Sequence, residues 1–163
     1  MEMYKDYLKS GLEAYFDIEE DIAIGKESFE LMATFNQRNA KYMLFKNVEI
    51  YSFTANEYLF LKKFDRPLEL SDLSWLKAFL DENIRDLVTY DEEHMSSVVT
   101  FILEAPMPSE EIAKKLSKFK YYKSFSFGLR GWVNAKVILI DPVLNDGITN
   151  KLAKGDLKKF VMN

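Results

Sequence analysis

No cysteine occurs among the 163 residues, and that absence excludes disulfides, thiolate metal ligands, cysteine nucleophiles and thiol redox relays. Histidine is nearly absent too, with His94 the sole example. Any catalytic triad would have to use it as the base, since that role needs a group titrating near neutrality. Only four prolines and six glycines are present, which argues against a low-complexity or collagen-like chain. No uncharged apolar run approaches the roughly 20 residues that span a bilayer. The opening MEMYKDYLKSGLEAYFDIEE carries acids throughout and lacks the apolar stretch of a signal peptide. The expectation is a cytoplasmic protein with no membrane segment.

What is present is core-forming material. The chain is 48% hydrophobic and 15% aromatic, enough for one packed core, so a single domain over residues 1–163 is expected. Net charge is −4, but it is unevenly spread. Before Leu31 nine acids face three lysines, whereas from Lys114 onward eleven basic residues face three acids. Such polarity suits an anionic partner for the basic end, or attraction between the two ends within or between subunits.

Hydrophobic periodicity divides the chain. Tyr4, Leu8, Leu12 and Tyr15 recur at helical spacing and predict a helix over 3–16. The acidic DIEED reads as a solvated turn, because it lacks the glycine and alternate-position spacing of a calcium loop. Phe29, Leu31, Ala33 and Phe35 alternate with polar residues and predict a strand with one wet face. YMLFKNVEIYSF and YLFLKKF continue the pattern, so residues 22–64 predict an antiparallel meander joined by short loops. Leu73, Leu76, Leu80, Ile84 and Leu87 predict a helix over 72–88, with Ser71 as its cap. SSVVTFILE at 96–104 is apolar on both faces, as an interior strand should be. SEEIAKKLSKF predicts a helix over 109–119, its acids at the start and lysines at the end. The tail NDGITNKLAKGDLKKFVMN has weak helical character interrupted by Gly155. Together these give an α+β fold: a mostly antiparallel sheet, the N-terminal meander plus later strands, with helices covering one face.

Local signatures of common chemistry do not occur: there is no P-loop, GxGxxG, HExxH or GxSxG. No cofactor or metal is implied. A metal-dependent nuclease would need an acid and then Glu/Asp-x-Lys on a strand, but Asp156-Leu157-Lys158 sits in a helical context. His94 lies in DEEHMSS beside Asp91, Glu92 and Glu93, which reads as an exposed loop among solvated acids, with no diagnostic ligand spacing.

The stretch KSFSFGLRGWVNAKVILID carries the remaining interest. Against the RNA-recognition strand signature, Lys123, Phe125 and Phe127 match while Ser124, Gly128 and Arg130 do not. Alternation puts Lys123, Phe125, Phe127 and Leu129 on one face, with the rings expected in the core. Tyr122 and Arg130 fall on the other, with Lys120 nearby, so Lys120, Tyr122, Lys123 and Arg130 are the candidate anion-binding or stacking residues. Gly128 and Gly131 predict a tight turn or bulge before the strand at 132–140, and Trp132 is expected as a core or interface aromatic. The functional expectation is a non-catalytic binding or assembly module, with a homodimer as its natural form. Two alternatives stand beside it: nucleic-acid or polyanion binding through the basic C-terminal region, against which the acidic balance argues, and a small-molecule enzyme with a site assembled from carboxylates.

Overall fold

The computed structural model describes residues 3–35, 56–87, 96–125 and 131–163. The elements run α1 (Met3–Leu12), β1 (Phe16–Ile24), β2 (Glu27–Phe35), β3 (Asn56–Lys63), α2 (Leu70–Leu87), β4 (Ser96–Glu104), α3 (Glu110–Ser117), β5 (Tyr122–Ser124), β6 (Trp132–Asp141) and β7 (Asp146–Thr149). A 3₁₀ helix (Lys151–Asp156) and α4 (Leu157–Phe160) follow. The seven strands form one sheet in the order β1-β2-β3-β4-β6-β5, with β7 also paired to β6.

The α+β class holds, but the sheet is mixed. β3 pairs with β4 and β4 with β6 in parallel, while β1–β2, β2–β3, β5–β6 and β6–β7 are antiparallel. The two-residue turn at Gly25–Lys26 can only send the chain back beside itself. The passage from β3 to β4 contains α2, which returns the chain to the same end of the sheet. The strand material expected within 37–55 lies outside the described residues.

Helices cover both faces rather than one. On the first face α2 lays Leu73, Leu76, Phe79, Leu80 and Ile84 against Phe29, Phe60, Phe101, Val137 and Leu139. Phe79 meets Phe29 edge-on at 5.2 Å between ring centroids, and Phe60 stacks on Phe101 at 5.8 Å. On the second face α1 and α4 place Tyr4, Leu8, Leu12 and Phe160 against Leu31, Leu59, Leu61, Ile102, Ile138 and Ile140. Because side chains alternate along a strand, β4 and β6 feed both cores at once, which is why their later halves, Phe101–Leu103 and Val137–Ile140, read as continuous apolar runs. Burying each such side chain is worth about 1.5–3 kcal/mol, so these layers outweigh any single cap or ion pair.

Local chemistry accounts for where elements begin and turn. α2 starts at Leu70, so Ser71 lies inside its first turn and is not the cap. Asp72 serves instead: its carboxylate accepts from the Glu69 backbone N–H at 2.7 Å and from both Arg66 guanidinium nitrogens at 2.8 and 3.0 Å. α3 begins as expected, with Ser109 Oγ accepting from the Ile112 N–H. α1 stops at Leu12, and DIEED is part of strand β1 rather than a turn. Asp21 there has φ 50°, a left-handed conformation within the strand. Across it the hairpin changes face: Phe16, Ile18 and Leu31 join the second core, whereas Ile22, Ile24 and Phe29 join the first. Phe29 therefore parts from Leu31, Ala33 and Phe35, with which simple alternation grouped it. The tail is more varied than weak helix, comprising β7, the 3₁₀ turn and α4. Gly131, at φ 95°, closes the β5–β6 connection by accepting from the Phe125 N–H at 3.0 Å. Gly128 lies outside the described residues.

Candidate functional site

Two places in the fold gather polar chemistry. The first is the edge where β5 meets β6. Here Tyr122 pairs with Asn134 and Ser124 with Trp132, so all four side chains project from the second sheet face. α1 and α4 do not reach this corner: Tyr122 is 64% exposed and Trp132 36%. Next to them a cleft of about 440 Å³ opens between the α3–β5 connection and the 3₁₀ turn, lined by Lys120, Tyr122, Asn134, Asn150, Lys151 and Leu152 among others.

The floor of that cleft is rigid and chemically spent. Asn150 is buried, and its amide donates to the carbonyls of Phe119 and Ala135 at 3.1 and 3.0 Å while accepting from the Val137 N–H at 3.0 Å. Tyr121 is buried below the rim and donates its hydroxyl to Asp81 at 3.0 Å. Burial, and then the Asp81 carboxylate, push that phenol up to about 12. The rim differs, since Lys120, Lys151 and Leu152 are all exposed. What remains available is an aromatic and cationic lip together with the half-buried Asn134 amide on the wall.

Of the four residues expected to bind, Lys120 and Tyr122 come together at this cleft. Lys123 is half-buried and by alternation belongs to the opposite face, with Phe125. Arg130 lies outside the described residues, as do Phe127, His94, Asp91, Glu92 and Glu93. Phe125 is buried in the first core, as expected. Trp132 is not a core residue, because β6 begins at the uncovered corner.

The second place is interior. Thr100 on β4 pairs with Lys136 on β6, and Glu57 on β3, the partner of Val98, is the diagonal neighbour of Thr100 on the same second face. Glu57 is only 6% exposed, and its sole hydrogen-bond partner among the described residues is the Thr100 hydroxyl, donating at a long 3.3 Å. Burial raises the Glu57 carboxyl above its ordinary range, against the pull of Lys136 and Lys159. Lys136 Nζ lies 2.6 Å from Asp156, which also receives Lys159 at 2.9 Å. Burial pushes Asp156 up, but the hydrogen bonds from the two lysines outweigh it and hold the carboxyl below its usual range. This cluster escaped the motif search because its members come from four elements. One signal was legible: Glu57, Thr100 and Lys136 are polar residues in the inward register of otherwise apolar strands.

Two acids of DIEED, Glu20 and Asp21, have structural partners on α1. Lys5, buried on α1, pairs with Asp21 at 3.1 Å and Glu20 at 3.7 Å, and Lys9 pairs with Glu20 at 3.1 Å. Asp156 is tied to lysines and Lys158 is exposed on α4, so the Asp-x-Lys tripeptide has no strand geometry. Among the described residues no three acidic or histidine side chains converge to hold a metal ion. A wider groove of about 760 Å³ runs between α1 and α4 past Tyr7, Leu12, Tyr15 and Phe160, bounded by the helices that seal the second core.

The fold is a domain of mixed sheet with helices on both faces and lysines and exposed aromatics at one edge. Residues 1–162 match the family described as a domain of unknown function, DUF8052, and the chain belongs to that family. Neither the curated proteins nor the solved structures contain a match. Among the described residues no helix is long and apolar enough to cross a membrane.

Proposed function

We propose that this is a single-domain, cytoplasmic, non-catalytic binding module that takes an anionic partner at the basic edge of its sheet. The observation that carries the reading is the Tyr122 ring, 64% exposed on a cleft that the exposed Lys120 and Lys151 also line. An exposed aromatic with exposed cations on the same cleft, over a floor where Asn150 is fully bonded, favours a ligand held at its surface rather than one transformed. The interior charges support the non-catalytic half, since Lys136 and Asp156 are engaged with each other.

Charge placement supports the choice of partner. The acids of β1 lie at the opposite end of the sheet, five strand spacings from β5. At about 4.8 Å per spacing that is roughly 24 Å, beyond the screening length of about 8 Å at physiological salt. The overall negative charge therefore does not cancel the local positive field at the cleft. Fluorescence anisotropy with labelled poly-glutamate and labelled heparin fragments tests the reading. Binding at low salt that weakens in a K120E/K151E double variant is expected; no binding of either polyanion at low salt defeats it.

Self-association is a second reading, favoured by the same opposition of edges. The acidic β1 edge of one copy is complementary to the basic β5 edge of another, a head-to-tail contact that need not close into a ring. Light scattering should then show mass rising with concentration at low salt and falling back at high salt. A strict monomer at both salts removes this reading.

A further inference from the structure

The chemistry of the β5–β6 corner narrows the anionic partner. Tyr122 and Trp132 are diagonal neighbours across the strand pair on one face, and such neighbours stand about 7–8 Å apart. That separation allows one planar group on each ring. Ser124 and Asn134 complete the quadrilateral with small side chains, leaving the rings standing above low ground. The Asn134 amide, half-buried on the cleft wall, has no hydrogen-bond partner among the described residues. It offers both a donor pair and an acceptor to the edge of a planar ligand. Lys120 and Lys151 flank the same cleft as exposed cations.

Two rings, one free amide and two flanking ammonium groups match a polymer of planar bases joined by phosphates better than an acidic peptide. An acidic peptide would use the lysines and leave the rings idle. We infer that this corner is a single-stranded nucleic-acid platform, in which Tyr122 and Trp132 stack successive bases, Asn134 meets a base edge, and Lys120 and Lys151 take the flanking phosphates. The inference rests on the anion-binding reading above and adds the class of partner. Recognition would be tolerant of sequence, because every base has a face to stack and a single amide reads little. The A-form or B-form duplex is excluded as the preferred ligand by the same chemistry, since paired bases keep their faces inside the stack.

The full chain, titrated with a fluorescein-labelled fifteen-residue oligothymidylate, tests this directly. Anisotropy at about 20 mM salt should report binding that weakens steeply by about 300 mM. Intrinsic fluorescence gives a second readout, because of the two tryptophans only Trp132 is at this corner, Trp75 being packed against Phe29 and Phe79. Oligothymidylate should quench the wild type and leave W132F nearly unquenched. Y122A and W132A should each weaken binding about 5- to 150-fold, the usual effect of losing one stacked base, with unchanged circular dichroism. K120E/K151E should flatten the salt dependence. Oligothymidylate that fails to bind where poly-glutamate binds overturns this inference and leaves the broader reading standing. Wild-type affinity in both Y122A and W132A overturns it as well. Failure of every polyanion brings down both.

Discussion

Lys136 on β6 and Asp156 at the end of the 3₁₀ helix meet at 2.6 Å in the layer between sheet and tail, while Glu57, two strands away on the same face, keeps only a long hydrogen bond from Thr100. The shared lysine thus serves one carboxylate closely and the other only through its field. The two acids consequently respond to pH in opposite senses.

Glu57→Gln should stabilise the fold at neutral pH. Its carboxyl is raised above the ordinary value of 4.5, chiefly by burial, so its stabilising contribution is complete below the unfolded value and is lost as pH rises through the folded one. Urea unfolding at pH 7 should show a gain of about 1–2 kcal/mol for the amide, the usual cost of a buried, under-bonded polar group. The gain should vanish toward pH 4. A loss of stability at pH 7 would mean that the ionised carboxylate is a net asset.

Asp156→Asn should do the reverse. Its folded value is lowered from 3.8, so its contribution is present above the unfolded value and disappears as pH falls through the folded one. Breaking the pair strands a half-buried Lys136, and a loss of roughly 2 kcal/mol at pH 7 is expected, below the range for fully buried pairs. Hydrogen exchange should show the 3₁₀ turn and α4 opening first.

Asp72→Ala removes the acceptor that holds both the Glu69 N–H and the Arg66 guanidinium at the start of α2. About 1 kcal/mol should be lost, the ordinary value of a helix cap. Because the hydrogen bond from Arg66 holds the Asp72 carboxyl below its usual range, the loss should shrink as the solution is acidified through that range. An unchanged thermal midpoint at pH 7 would show that Leu73 and Leu76 anchor the helix without it.

Gly147→Ala should be severe. A Cβ there would stand 2.2 Å from the Leu139 carbonyl oxygen and about 3 Å from side-chain carbons of Leu157 and Ile140. Backbone cannot yield as a side-chain tip can, so β7 would have to leave β6. Destabilisation above about 3 kcal/mol, or failure to fold, is expected. Near-wild-type urea unfolding would place β7 outside the cooperative unit.

Periodicity alone located most elements, because burial imposes it. β4 was legible to the residue, since SSVVTFILE must be apolar on both faces to lie between two helix layers. α2 was legible from its leucine stripe, although its cap was misassigned: the competing acceptor, Asp72, was recognisable only with Arg66 folded against it. The antiparallel pairing expected within the meander holds for β1–β2 and β2–β3, whereas the parallel centre, β3–β4–β6, lies beyond it and depends on where the crossover through α2 returns. At the β5–β6 corner, alternation turns Tyr122 outward with Lys120 nearby, and in the structure both line one cleft. For Trp132 the sequence leaves core and interface both open, and nothing local says that the covering helices end before it.

What the chain determines by itself is therefore what depends on neighbours in sequence: strand and helix periods, the exclusion of thiol chemistry, the cap at Ser109, and the gradient from acid to base. The tertiary structure alone decided that the acids of β1 and the lysines beside β5 fall on opposite sheet edges while the basic tail packs on α1, that Glu57, Thr100, Lys136 and Asp156 share one interior, and that Tyr122 and Trp132 are both exposed at one corner. These are distances between residues far apart along the backbone. They follow from strand order, which is set by the combined burial of both faces rather than by any local run of residues.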